Sequence, residues 1–326
     1  MKKITFSLIV VLLTSVIISI IGYNEFIIRK DSQKYQEINN SNQEKETTTK
    51  EEEHITINCI GDSLTLGSST NSFPTMLSSQ TGYSVNKFGG SYDQTIDSAI
   101  RLGGVKVYVN NITIPSSPTP VSIDILDKDS QKLDVLKTTG SNFTNVEIDG
   151  IPGKLTYDQD SKTHTFTRIQ KGDQKTITSL TQITAEYPEY SQDDIAIIFT
   201  GTYDSAIQNG VFRTITYQRS IIKQLKTKKY IVVSLTSKRR FPIVGDMNKV
   251  LEEEHGEHFL DFRTYLLENG LTDANITPTE TDKNDLQKKY IPSSLLEEDK
   301  LNGNSYFNKL LAEQIIKKAK ELNYIS

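Results

Sequence analysis

The stretch Ile55-Thr56-Ile57-Asn58-Cys59-Ile60-Gly61-Asp62-Ser63-Leu64-Thr65 constrains the fold more than any other. Five of its first six residues are β-branched or small, and no breaker interrupts them, so the run reads as a buried strand. Gly61-Asp62-Ser63 then turns the chain sharply. In an open α/β sheet the loop past the carboxyl end of a strand lines the ligand crevice, and a serine placed there can present its hydroxyl to a substrate.

The rest of the chain supplies partners for such a strand. Phe73, Met76 and Leu77 fall at helical spacing over 71–80, and Gly82 closes that helix. A short strand over 83–87 leads to Gly89-Gly90 and a short helix over 95–100. The α/β rhythm returns at Asp194, with strands over 195–200, 230–235 and 259–261 and helices over 213–226 and 247–254. Leu310, Leu311, Ile315, Ile316 and Ala319 share one face of a final helix over 306–322. Five strands alternating with helices imply a parallel, doubly wound sheet with right-handed crossovers.

Residues 105–185 have a different texture. Runs such as Val105-Lys-Val-Tyr-Val and Val121-Ser-Ile-Asp-Ile alternate apolar with polar, and turn signals at 115–118, Asp149-Gly150, Pro152-Gly153 and 171–173 separate them. That pattern predicts short antiparallel strands. The expected organisation is one α/β domain over 55–104 and 186–326, interrupted by a β-rich insert over 105–185.

Ahead of the domain, Lys2 and Lys3 precede an uncharged run from 4 to 23. Twenty helical residues rise about 30 Å, the thickness of a hydrocarbon core. Residues 1–30 are therefore expected to form an uncleaved signal anchor, a single transmembrane helix that holds an extracytoplasmic domain at the cell membrane. Residues 31–54, rich in Glu, Gln, Asn, Lys and Thr, cannot bury enough apolar surface to fold and read as a disordered tether. The net charge of −4 gives no sign of a nucleic-acid partner, and the single cysteine, Cys59, excludes an intramolecular disulfide.

Gly61-Asp-Ser-Leu64 after an apolar strand resembles the first block of the GDSL family, the SGNH hydrolases. A given four-residue string arises by chance in about one chain in a hundred of this length. The resemblance implies a flavodoxin-like three-layer α/β/α fold, ester hydrolysis without a cofactor or metal, and a substrate such as an acylated glycan or another acyl ester. Ser63 matches the nucleophile. Asn86-Lys-Phe-Gly89-Gly90 resembles the second block, whose glycine gives an oxyanion-hole donor, with Gly90 favoured over Gly89. The line Phe199-Thr-Gly-Thr-Tyr203-Asp204 resembles the family's Gly-x-Asn-Asp block, with Tyr203 where the asparagine stands. The line Glu297-Glu-Asp-Lys300-Leu-Asn resembles Asp-x-x-His-Leu-Asn, with Lys300 at the histidine position and Glu297 at the aspartate position.

A serine hydroxyl is a poor nucleophile until a base takes its proton. His54, His255 and His258 fall at amino ends of strands, opposite the crevice, and His164 lies in the insert. Lys300 as a base would need a depressed pKa, which Glu297, Glu298 and Asp299 oppose, so it reads as a surface lysine. Two functions follow: a hydrolase weakened by loss of the block asparagine and histidine, or a catalytically silent relative that binds glycan or protein at the cell surface.

Overall fold

The structure, a computed structural model, describes residues 55–67, 72–138, 140, 142–206, 209–239 and 241–325. Thirteen strands occur among them: β1 Thr56–Gly61, β2 Ser84–Gly89, β3 Val107–Val109, β4 Ile112–Ile114, β5 Val121–Ile123, β6 Asn145–Ile148, β7 Ile151–Asp158, β8 Thr163–Arg168, β9 Lys175–Ile177, β10 Thr181–Thr184, β11 Ile195–Phe199, β12 Lys229–Val233 and β13 Phe259–Leu260. Residues 55–326 form one compact unit by their contacts.

β1, β2, β11, β12 and β13 pair in parallel, in the order β2-β1-β11-β12-β13. Renumbered along this sheet alone the order is 2-1-3-4-5, the flavodoxin-like winding. Successive side chains point to opposite faces. Ile57 and Cys59 join Ile197, Phe199, Ile231 and Val233 on one face, under the Phe73–Thr81 and Ser305–Glu321 helices. Ile60, Ala196, Ile198 and Val232 fill the other face, under the Gly210–Leu225 and Val244–His255 helices. Asn58 is tolerated in the buried β1 because its amide donates to Asp194 at 3.3 Å and its carbonyl accepts from Asn86 at 3.0 Å.

The insert is antiparallel. Six strands run β3-β10-β6-β7-β8-β5, and β4 pairs with β9. Ile148 pairs directly with Ile151, so Asp149 (φ 50°) and Gly150 (φ 78°) make the two-residue hairpin that Asp-Gly favours. The insert does not close its core alone. Val107, Ile114, Val146, Ile148 and Phe166 pack with Ile96 and Ile100 from the Thr95–Arg101 helix of the α/β unit.

The sheet is parallel with five strands, and an antiparallel sheet accompanies it, as expected. The fold class needs one correction. No helix among the described residues is long and apolar enough to cross a membrane. The anchor expected over 1–30 and the tether over 31–54 lie outside the described residues, and the described residues form a mixed α/β fold. Three further helices that the apolar pattern did not announce, Phe262–Glu268, Gly270–Asp273 and Glu280–Gln287, fill the connection before the last helix. The Glu280–Gln287 helix is set by its capping box, Thr279 with Asp282.

Candidate active site

In a 2-1-3-4-5 sheet the winding reverses direction between the first and third strands, and the crevice opens there at the carboxyl ends. Here that point lies between β1 and β11. Gly61 pairs with Gly89 on one side and Phe199 on the other, so the segments leaving β1, β2 and β11 emerge side by side. They carry Ser63, Gly90 and Tyr203, and the sheet therefore brings three of the five sequence-derived site residues to one edge.

The backbone there is tight. A Cβ on Gly89 (φ 147°) would meet Gly61 O at 1.7 Å, so only glycine lets the two strands end so close together. Ser63 opens a four-residue helical turn, Ser63–Leu66, and Asp62 caps it by accepting from Leu64 N at 2.9 Å. Ser63 Oγ lies 3.5 Å from the Tyr203 hydroxyl. The Tyr203 ring stands edge-on to Tyr92, with centroids 5.4 Å apart, and to Phe241 at 5.8 Å. Tyr92 is exposed and holds φ 63°. Aromatic side chains from three successive loops thus line this edge.

Under them lies a set of buried carboxylates. Burial pushes Asp62 up to about 7, against the hydrogen bond from Leu64. Burial also raises Asp204, which accepts from Thr95 Oγ1 at 2.5 Å and Thr214 Oγ1 at 2.8 Å. Asp97 goes up to about 7 from burial and the neighbouring Asp93. Arg101 meets the Asp93 carboxylate with two nitrogens, Nε at 2.8 Å and Nη2 at 3.3 Å. The same guanidinium donates to the carbonyls of Thr138 at 2.9 Å and Asn142 at 3.4 Å, and Leu136 N donates to Asp97 at 2.5 Å. The helix Thr95–Arg101 thereby ties the insert to the crevice.

Gly90 is caught in this arrangement. Its N–H supplies a backbone hydrogen bond to Asp93, a Cβ there would lie 2.6 Å from Asp93 Oδ1, and the residue bridges to Gly140 of the insert. Lys300 and Glu297 share one turn. The 296–303 segment forms a turn in which Lys300 N donates to Glu297 O at 3.0 Å and Leu296 bridges to Gly303. Lys300 lines a small cleft with Ser237, Arg239 and Ile291, beside the segment leaving β12. That strand is two places from β1, about 10 Å along the edge. Glu297 is exposed.

The described histidines are engaged elsewhere. His164 Nε2 sits 3.2 Å from Leu136 O, and its pKa is lowered by burial. His255 Nε2 meets Gln218 at 2.8 Å, and burial lowers it to about 4. His258 Nδ1 lies 3.1 Å from Tyr230 O and 2.8 Å from the Tyr324 hydroxyl. No group of His, Cys, Asp and Glu among the described residues is placed to hold a metal ion. The sequence reading missed Asp93 and Arg101. The available signal was an arginine eight residues past an aspartate, at the end of a helix whose other face is apolar.

The parallel sheet in 2-1-3-4-5 order, with Gly61-Asp62-Ser63 at the end of its first strand, is an SGNH-hydrolase-like fold. No protein-family model and no curated protein matches the chain. Among solved structures it is similar to a member of the lipolytic protein G-D-S-L family from Veillonella parvula (12% identity over 81% of this chain and 97% of that one, TM-score 0.42). It is also similar to a G-D-S-L family lipolytic protein from Desulfitobacterium hafniense (14% identity, 81% and 98%, TM-score 0.41). A peptidoglycan O-acetylesterase shows 11% identity over 83% of this chain and 91% of that one, with a TM-score of 0.33. At these values no residue role passes from those proteins to this chain.

Proposed function

We propose that this chain holds acyl esters, such as acylated glycan, in the crevice at Ser63 and cleaves them far more slowly than a complete serine triad does. The supporting observation is the partner of Ser63 Oγ, a tyrosine hydroxyl at 3.5 Å. A protonated tyrosine hydroxyl can hydrogen-bond to serine without taking its proton, unlike a histidine base. Without a base, turnover falls by about a millionfold, and what remains comes from binding and oxyanion contacts. A second reading, a crevice that binds and does not cut, is favoured by Gly90. Its N–H is lent to Asp93, and one missing oxyanion donor costs a further factor of about 100 to 1,000.

Hydrolysis of a short-chain aryl ester by the full chain, beside its Ser63→Ala and Lys300→Ala forms, tests both readings. The expected result is slow turnover above the buffer rate in the wild type and in Lys300→Ala, and the buffer rate in Ser63→Ala. Slow turnover lost only in Ser63→Ala supports the first reading, and none at all supports the second. Rapid Ser63-dependent turnover overturns the proposal. Its loss in Lys300→Ala as well would identify a Ser-Lys device.

A further inference from the structure

We infer a second binding site, for one neutral sugar-sized polyol, in a cleft where the insert meets the α/β unit. The cleft has a volume of about 310 Å³. At about 30 Å³ per water it holds roughly ten water-sized groups, which matches a single six-membered sugar ring with its hydroxyls.

The floor is built and buried. Arg101, Leu136, Phe143 and Leu155 line it, all nearly closed to solvent. The rim is exposed and polar, with Thr144, Thr156 and Gln159. Tyr157 stands in the wall, its ring steadied against His164 at 4.8 Å. Gln159 is fixed by donating to Lys137 O at 2.7 Å, which leaves its amide oxygen as an acceptor. A guanidinium has five N–H groups. Four contacts engage Arg101, two to Asp93 and one each to Thr138 O and Asn142 O, so one Nη1 N–H has no acceptor among the described residues.

Charge decides between ligand classes. Both cations at the cleft already face carboxylates, Arg101 with Asp93 and Lys137 with Asp134 at 2.5 Å. An anion would have to displace one of them. An alkyl chain would strip water from the guanidinium edge without replacing its hydrogen bond. A neutral ring with hydroxyls on its rim and C–H groups on its faces satisfies both the polar rim and the Phe143 and Tyr157 rings.

The test is titration of the full chain with N-acetylglucosamine, methyl glucopyranoside, glucuronate and hexanoate, followed by saturation-transfer NMR. The two neutral sugars are expected to bind saturably and more tightly than glucuronate or hexanoate. Tyr157→Ala, which removes the ring from the cleft wall, and Gln159→Ala should each weaken that binding about tenfold, roughly 1.4 kcal/mol. Ser63→Ala should leave it unchanged, which separates this site from the crevice whatever the ester assay shows. Unchanged binding in both cleft variants, preference for glucuronate or hexanoate, loss of binding in Ser63→Ala, or no binding by the wild type overturns the inference.

Discussion

Arg101→Met is the substitution with the most to lose. The Asp93 and Arg101 side chains are 1% and 3% exposed, joined at 2.8 and 3.3 Å. Methionine fills much of the arginine stem but leaves Asp93 buried without its cation, and leaves the carbonyls of Thr138 and Asn142 without this donor. Breaking a buried pair from one side costs about 3–5 kcal/mol. Equilibrium urea unfolding at pH 7 should show a loss of that size, a large part of the roughly 5–15 kcal/mol that a domain has. The double variant Asp93→Asn/Arg101→Met removes the stranded charge and should recover more than half of the loss. Burial already raises Asp93, and without Arg101 it rises further. A carboxylate raised in the folded state adds stability below its unfolded value that is lost as pH rises through its folded value. The Arg101→Met deficit should therefore shrink as pH falls from 7 to 5. A loss under about 1 kcal/mol, or a double variant as unstable as the single one, would refute the view that this pair joins insert to crevice.

Four further outcomes follow from the same geometry. Asp62 titrates at about 7 folded and near 4 unfolded, so its contribution is present below about pH 4 and lost through pH 7. Asp62→Asn keeps an acceptor for Leu64 N and should gain on the wild type by up to about 4 kcal/mol between pH 5 and 8 in chemical unfolding; parallel curves would contradict the burial argument. His255 has the opposite sign. Lowered to about 4, it stabilises above its unfolded value near 6.5 and loses that contribution as pH falls towards 4, so His255→Gln should flatten the acid limb of the stability profile. Gly89→Ala should prevent soluble expression because its Cβ would lie 1.7 Å from Gly61 O. Gly82→Ala, with φ 74° but open space around it, should cost only about 1–2 kcal/mol, measured by thermal unfolding.

Much of the architecture was legible in the amino-acid order because it rests on local pattern. Uninterrupted apolar runs marked the buried parallel strands, alternation marked the insert and period 3.6 marked the long helices, and Gly82, Asp149 and Gly150 marked turns. The Phe262–Glu268 and Glu280–Gln287 helices were not marked. The second buries only Asp282 and Asp285 fully, and Asp282 accepts from Ser294 N while Asp285 accepts from Ser293 N. A helix held by such polar contacts carries no apolar stripe to read.

The site divides in the same way. Ser63 after β1 and Tyr203 after β11 follow from order alone, because parallel winding sends the loop after every strand to one edge. Their 3.5 Å separation, the hydrogen bond from Asp93 N to Gly90 O and the cleft that Lys300 lines are tertiary facts. Asp93 sits eight residues before Arg101, and the insert segment that Arg101 holds lies some forty residues further on. A local motif names which groups a loop carries. Which of them keeps a free hydrogen bond for a substrate depends on neighbours that only the folded chain brings within 3 Å.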